Sequence, residues 1–184
     1  IKMKNKFTLM LFASIALTNL FISCDKDEDP ELIEEQELIT TVVLNITSDS
    51  AANQTVRWNM DTNQTPTISL QANQQYQVSV SFLDESDPAD TEDITEEVKE
   101  EADEHQVFYE FSGVSISYTS GQGDVSDSAN NPLYLNSIWT ASSAGTGTAR
   151  VYLIHEPTTK TSTSRGGFGG ETDVEVDFTV VVSE

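Results

Sequence analysis

Only two histidines occur in the 184 residues, and each stands beside carboxylates at the end of a segment with its own hydrophobic pattern. Glu101 and His105 are four residues apart, the spacing at which a helix presents two ligands to one ion. His155 ends the apolar run Thr148 to Ile154 and is followed by Glu156. If the two imidazoles meet at one edge of the fold, Glu101, His105 and His155 form a candidate metal site, with Glu97 and Glu156 as further candidates. Imidazole with carboxylate suits zinc or a similar divalent ion, whereas an acid cluster alone suits calcium. The competing reading is two unrelated structural histidines.

The acids around the first histidine are dense. Asp84 to Glu104 holds twelve acids in 21 residues, and Lys99 is its sole base. Asp93-Ile94-Thr95-Glu96 fits a capping box, which predicts a helix from Ile94 to Glu104. At roughly 100° per residue, Ile94, Val98, Ala102 and His105 share one stripe that should pack on the body. Three Glu pairs (96/100, 97/101, 100/104) repel at i,i+4, and four acids crowd the negative end of the helix dipole. Either the acidic face is solvated and screened, or a bound cation offsets the repulsion.

Other chemistries lack their residues. Neither histidine has a Ser or Cys nucleophile in a recognisable motif nearby, and no two acids mark a cleft for glycoside hydrolysis. A non-catalytic protein is expected. Pro157 to Gly170 is a Thr/Ser/Gly loop without the lysine or the strand-to-helix setting of a phosphate-binding loop. It reads as a mobile cover beside His155, with Phe168 exposed as a contact residue.

The amino terminus reads as an address. Lys2, Lys4 and Lys6 precede the uncharged run Phe7 to Ile22, which is shorter than the roughly 20 residues of a membrane span, so residues 1–23 are expected to be a secretory signal peptide. Phe21-Ile22-Ser23-Cys24 resembles a bacterial lipobox, with Phe21 where Leu is usual and the chain's one cysteine at the acylation position. That resemblance implies lipidation of Cys24, and two or more acyl chains hold a membrane firmly. Asp25 to Glu37 carries eight acids and one lysine, a self-repelling tether that completes a segment 24–37. The Asp25-Lys26-Asp27-Glu28-Asp29 run resembles the export tag of Bacteroidetes-type surface lipoproteins, which implies the outer membrane, facing the cell exterior. Without residues 1–23, six bases face 31 acids and the net charge is −25. Such a chain repels phosphate backbones, so nucleic acid is not a partner.

The elements that must position the histidines come from residues 38–184. Thr40, Val42, Leu44 and Ile46 open an alternating pattern that recurs at 55–60, 67–70, 75–83, 106–111, 114–119, 133–141, 146–155 and 174–183, separated by Asn/Ser/Asp/Gly turns. Short strands of this kind with one acidic helix predict an all-β fold, an antiparallel immunoglobulin-like β-sandwich. Leu70-x-Ala72-x-x-x-Tyr76 resembles a tyrosine corner, in which a Tyr opening a strand bonds back to the preceding backbone. Trp58 and Trp139 fall in strand patterns and are expected in the core.

Asp93-Ile94-Thr95-Glu96-Glu97, Glu101 to Tyr109, His155-Glu156-Pro157 and Gly169 to Val176 together resemble an uncharacterised family of outer-membrane surface lipoproteins. Its members are sometimes labelled type 1 periplasmic binding fold proteins, a label at odds with the absence here of alternating strand and helix units. The resemblance implies association with TonB-dependent receptors and a cargo-capture role, and it carries no catalytic residue. The alternative role is a structural or adhesion-type sandwich that contacts proteins or glycans without metal.

Overall fold

The computed structural model describes residues 37–184. The expected signal, Cys24 and all of the tether except Glu37 lie outside the described residues. Within them the chain folds as an all-β sandwich. Nine strands follow the alternating segments: β1 Thr41–Thr47, β2 Gln54–Asn59, β3 Thr67–Gln71, β4 Gln74–Leu83, β5 His105–Ser112, β6 Ile116–Ser120, β7 Asn136–Ala141, β8 Gly145–His155 and β9 Glu171–Ser183. One sheet has the order β2-β1-β4-β7-β6 and the other β3-β9-β8-β5.

The facing surfaces are the apolar ones. Val42, Leu44, Ile46, Tyr76, Val78, Val80, Phe82 and Trp139 of the first sheet meet Val107, Tyr109, Val151, Leu153, Val176, Phe178 and Val180 of the second. Trp139 is fully buried, whereas Trp58 packs against the core from a half-exposed position. All pairings are antiparallel except one: β3 runs parallel to β9. The cause is local. The turn after β3 passes through Asn73 in the left-handed region and sends β4 into the opposite sheet, so the two form an arch and not a hairpin. The Tyr76 hydroxyl closes the arch by accepting the Gln71 N–H at 2.7 Å, as the tyrosine-corner pattern anticipates.

Helix α1, Ile94–Glu100, is shorter than its sequence pattern. The Asp93 side chain caps it by accepting the Thr95 N–H. Buried Thr95 exchanges two hydrogen bonds with the backbone of Phe82, and Ile94, Val98 and Ala102 enter the core. Burying one such aliphatic side chain stabilises by about 1.5–3 kcal/mol, against a few tenths per repelling Glu pair. Packing therefore wins where the stripe is apolar. Past Glu100 the stripe offers only Ala102 before His105, and residues 101–104 leave the helix as turns.

The end of α1 receives a cation from its own chain. Lys160, with a side chain 7% exposed, donates to the carbonyl oxygens of Ala102 and His105 and lies 3.7 Å from Asp127. An ammonium at the negative end of a helix offsets part of the dipole and of the local acid excess. The Gly-rich segment is also more ordered than its composition predicts. It forms a short helix α2, Arg165–Phe168, and Arg165 ties it down through Gly169 O, Gly170 O and Thr172 Oγ1. Phe168 is buried, not exposed, because its ring packs 4.9 Å from that of Phe108 on the outer face of the second sheet, alongside Tyr152 and Ile154. Among the described residues no helix is long and apolar enough to cross a membrane.

Candidate metal centre

One end of the sandwich gathers the first residues of β5 and β9, the last of β8, the exit of α1 and Glu37, four residues before β1. His105 and His155 are direct partners in the β5–β8 register. Both belong to the inward-facing series of their strands (Val107, Tyr109; Val151, Leu153), so they project to the same side. Their rings stack with centroids 4.9 Å apart and planes 11° from parallel. The expectation that two remote histidines meet at one edge is thereby met in geometry.

A third group completes the set. β8 and β9 slip register between Leu153 and Ile154, which pair with Val174 and Thr172, leaving Asp173 as the extra residue of a β-bulge. A bulge re-aims a side chain that strict alternation would send to solvent. The Asp173 side chain is 2% exposed, with Oδ2 3.9 Å from His105 Nε2 and Oδ1 3.9 Å from His155 Nδ1. Neither of its oxygens has a hydrogen-bond partner. An unpaired buried carboxylate is costly, and few native sites carry one without a purpose.

Around His105 the donor geometry fixes the tautomer. Nδ1 lies 3.3 Å from the Glu101 carbonyl oxygen. A carbonyl has no proton to give, so Nδ1 donates and Nε2 keeps its lone pair. That nitrogen is buried and unpartnered, 3.5 Å from Glu37 Oε1. A backbone carbonyl orienting the far edge of a ligating imidazole is the usual outer-shell arrangement of metal sites.

Two triads result, His105/His155/Asp173 and Glu37/Glu101/His105, each with ligand atoms within 4.8 Å of one another. A tetrahedral ion with bonds of about 2.0–2.1 Å needs ligand atoms about 3.3 Å apart. The set therefore has to contract by no more than about 1.5 Å. His155, whose side chain is 19% exposed, has room to rotate into place. Glu101 approaches at 3.9 Å on the Nδ1 side of His105, with its side chain 45% exposed, and stands at the rim. Glu97 is exposed and adds negative charge near Glu37. Glu156 is exposed and outside both triads; its backbone N–H binds Glu104 O at 2.7 Å.

Burial drives each inner group toward its neutral form. His105 is pushed down to about 4, against the opposing hydrogen bond to Glu101. Asp173 is pushed up to about 6 by burial, with His155 opposing, and Glu37 to about 8 by burial and then by Glu97, Asp173 and Glu101. Burial and then Glu104 raise Glu101 as well. The consequences for folding have opposite signs. His105 contributes stability above its ordinary 6.5 that is lost as pH falls toward 4. Glu37 contributes stability below 4.5 that is lost as pH rises toward 8. The melting temperature of the metal-free protein should accordingly fall between pH 6.5 and pH 8. In that window Glu37→Gln should flatten the profile, a comparison that thermal unfolding in chelator-containing buffers makes directly.

Asp173, Glu37 and Lys160 escape a reading of the sequence. Alternation along β9 assigns Asp173 to the outer face, Glu37 reads as the last acid of a tether, and Lys160 sits in a polar loop. Only the mixture of charge and β-branched residues at 171–176 hints at an irregular strand start. No family model, curated protein or solved structure matches this chain.

Proposed function

We propose that this chain is a non-catalytic surface lipoprotein of the outer membrane, anchored through Cys24, whose sandwich binds a divalent metal or a metal-bearing ligand and hands it to a TonB-dependent receptor. His105 Nε2, His155 and Asp173 are the inner ligands and Glu101 is the rim ligand. The observation that carries the reading is the buried Asp173 carboxylate, unpartnered and 3.9 Å from each of two stacked imidazoles. Two nitrogen donors favour zinc or a similar borderline ion over calcium, which takes six to eight oxygens.

Isothermal titration of the chelator-treated protein tests this. One zinc per chain is expected, with calcium binding weaker, and with zinc affinity falling as pH drops and the ligands take up protons. Absence of zinc binding at millimolar concentration removes the proposal, as does equal binding by the His105→Ala/His155→Ala double variant.

One observation favours a second reading, a structural or adhesion-type sandwich without metal. Tyr118, Tyr134 and Phe111 line an open groove beside exposed Glu110, between the edge strands β5 and β6. Half-exposed aromatic faces with hydroxyls and a carboxylate suit a glycan or protein contact.

A further inference from the structure

The structure assigns a fourth ligand to the cation site: Glu37, the residue that enters the sandwich, so that a held cation fastens the chain entering β1 to the α1–β5 junction. This rests on the metal reading above and adds to it a mechanical consequence.

The backbone entering β1 is fastened from Thr40 onward. Thr40 N–H donates to Leu83 O at 3.0 Å, its carbonyl accepts from Met60 N–H at 2.9 Å, and its hydroxyl accepts from Glu85 N–H at 2.7 Å. Glu37 precedes that anchor by three residues, and Leu38 between them is 53% exposed. Yet the Glu37 side chain turns inward to 10% exposure and brings Oε1 to 3.5 Å from His105 Nε2. Its other oxygen, Oε2, is buried with no partner. A side chain that leaves solvent to put an unpartnered oxygen beside an unpartnered imidazole nitrogen is placed as a ligand is placed.

Charge explains why the fastening depends on the cation. Asp173 also faces this nitrogen, Glu101 stands on the Nδ1 side of the same ring, and Glu97 adds to the field at Glu37. Like charges gathered this closely push an ionised Glu37 outward, whereas a divalent ion among them reverses the sign of the local field. His105 is common to both triads, so an ion held at its Nε2 draws Glu37 from one and His155 and Asp173 from the other, two nitrogens and two oxygens from four separate parts of the chain, with Glu101 at the rim. Losing the ion releases Glu37, which no strand ladder holds.

Hydrogen exchange of the purified protein with zinc and with chelator provides the test, followed by mass spectrometry of peptides covering residues 37–40 and 104–106. Zinc is expected to slow exchange in both peptides. In Glu37→Gln, zinc affinity should fall at least about tenfold, and protection of 37–40 should vanish while that of 104–106 persists at saturating zinc. Melting of the metal-free variant no lower than that of the wild type at pH 6 verifies that it folds. Wild-type zinc affinity in Glu37→Gln, or no zinc effect on 37–40 in the wild type, overturns the fastening and leaves the metal site standing. Absence of zinc binding to the wild type overturns both.

Discussion

Zinc at a hundredfold excess over its dissociation constant is expected to raise the melting temperature by about 5–10 °C. A ligand bound only by the folded state at that excess adds about 2.7 kcal/mol, and each kcal/mol moves a domain of this size by about 2–4 °C. The decisive comparison is Asp173→Asn. The amide keeps the volume, removes the charge and exchanges one acceptor oxygen for an NH2 donor. Because burial raises the Asp173 carboxyl to about 6, its ionised form costs folding energy at pH 7.5. The metal-free variant should therefore melt no lower than the wild type, while the response to zinc largely disappears. A purely structural aspartate gives the opposite pattern, a lower melting point with the zinc response intact. Survival of the full shift in both Asp173→Asn and the double histidine variant would relocate the ion to the exposed acids of α1.

Gly170→Ala should have the larger effect on folding. Gly170 has φ of 63°, and a Cβ there would stand 2.2 Å from His155 O and 2.6 Å from Glu156 O. The left-handed conformation costs an alanine about 1–2 kcal/mol, and forcing backbone apart at the clash costs about 1–3 kcal/mol more. A total of about 2–5 kcal/mol corresponds to roughly 5–20 °C in melting temperature. The strand end that carries His155 must shift to relieve the contact, so zinc affinity should fall as well. Gly123→Ala is the control: its φ is 77° with nothing within 4 Å of the added carbon, so it registers the conformational cost alone. Calorimetry and zinc titration of the two variants separate strain from displacement. Equal melting points for both would mean that the His155 turn yields without cost.

The nine strands and the start of α1 were legible from local pattern, since alternation, turn residues and a cap act over a few residues. Tyr76 likewise announced its own bond, because its partner Gln71 is five residues away. The two histidines could be singled out by rarity and by their carboxylate neighbours. Their meeting depended on β5 pairing with β8 in one register, a choice made across fifty residues by the packing of Val107, Tyr109, Val151 and Leu153. Burial of Phe168 depended in the same way on a free outer face beside Phe108.

Asp173 marks the boundary most sharply. Period-two alternation sends it to solvent, and only the one-residue slip between β8 and β9 turns its carboxylate inward. Lys160 at the helix exit and Glu37 at the site are placed by chain segments distant in sequence, through contacts that no window of neighbouring residues contains. Residue types and local periods thus determined the sandwich and the kind of chemistry its histidines can do. Tertiary packing alone decided which carboxylates surround them, because convergence in space depends on register, and register is settled by the whole buried face at once.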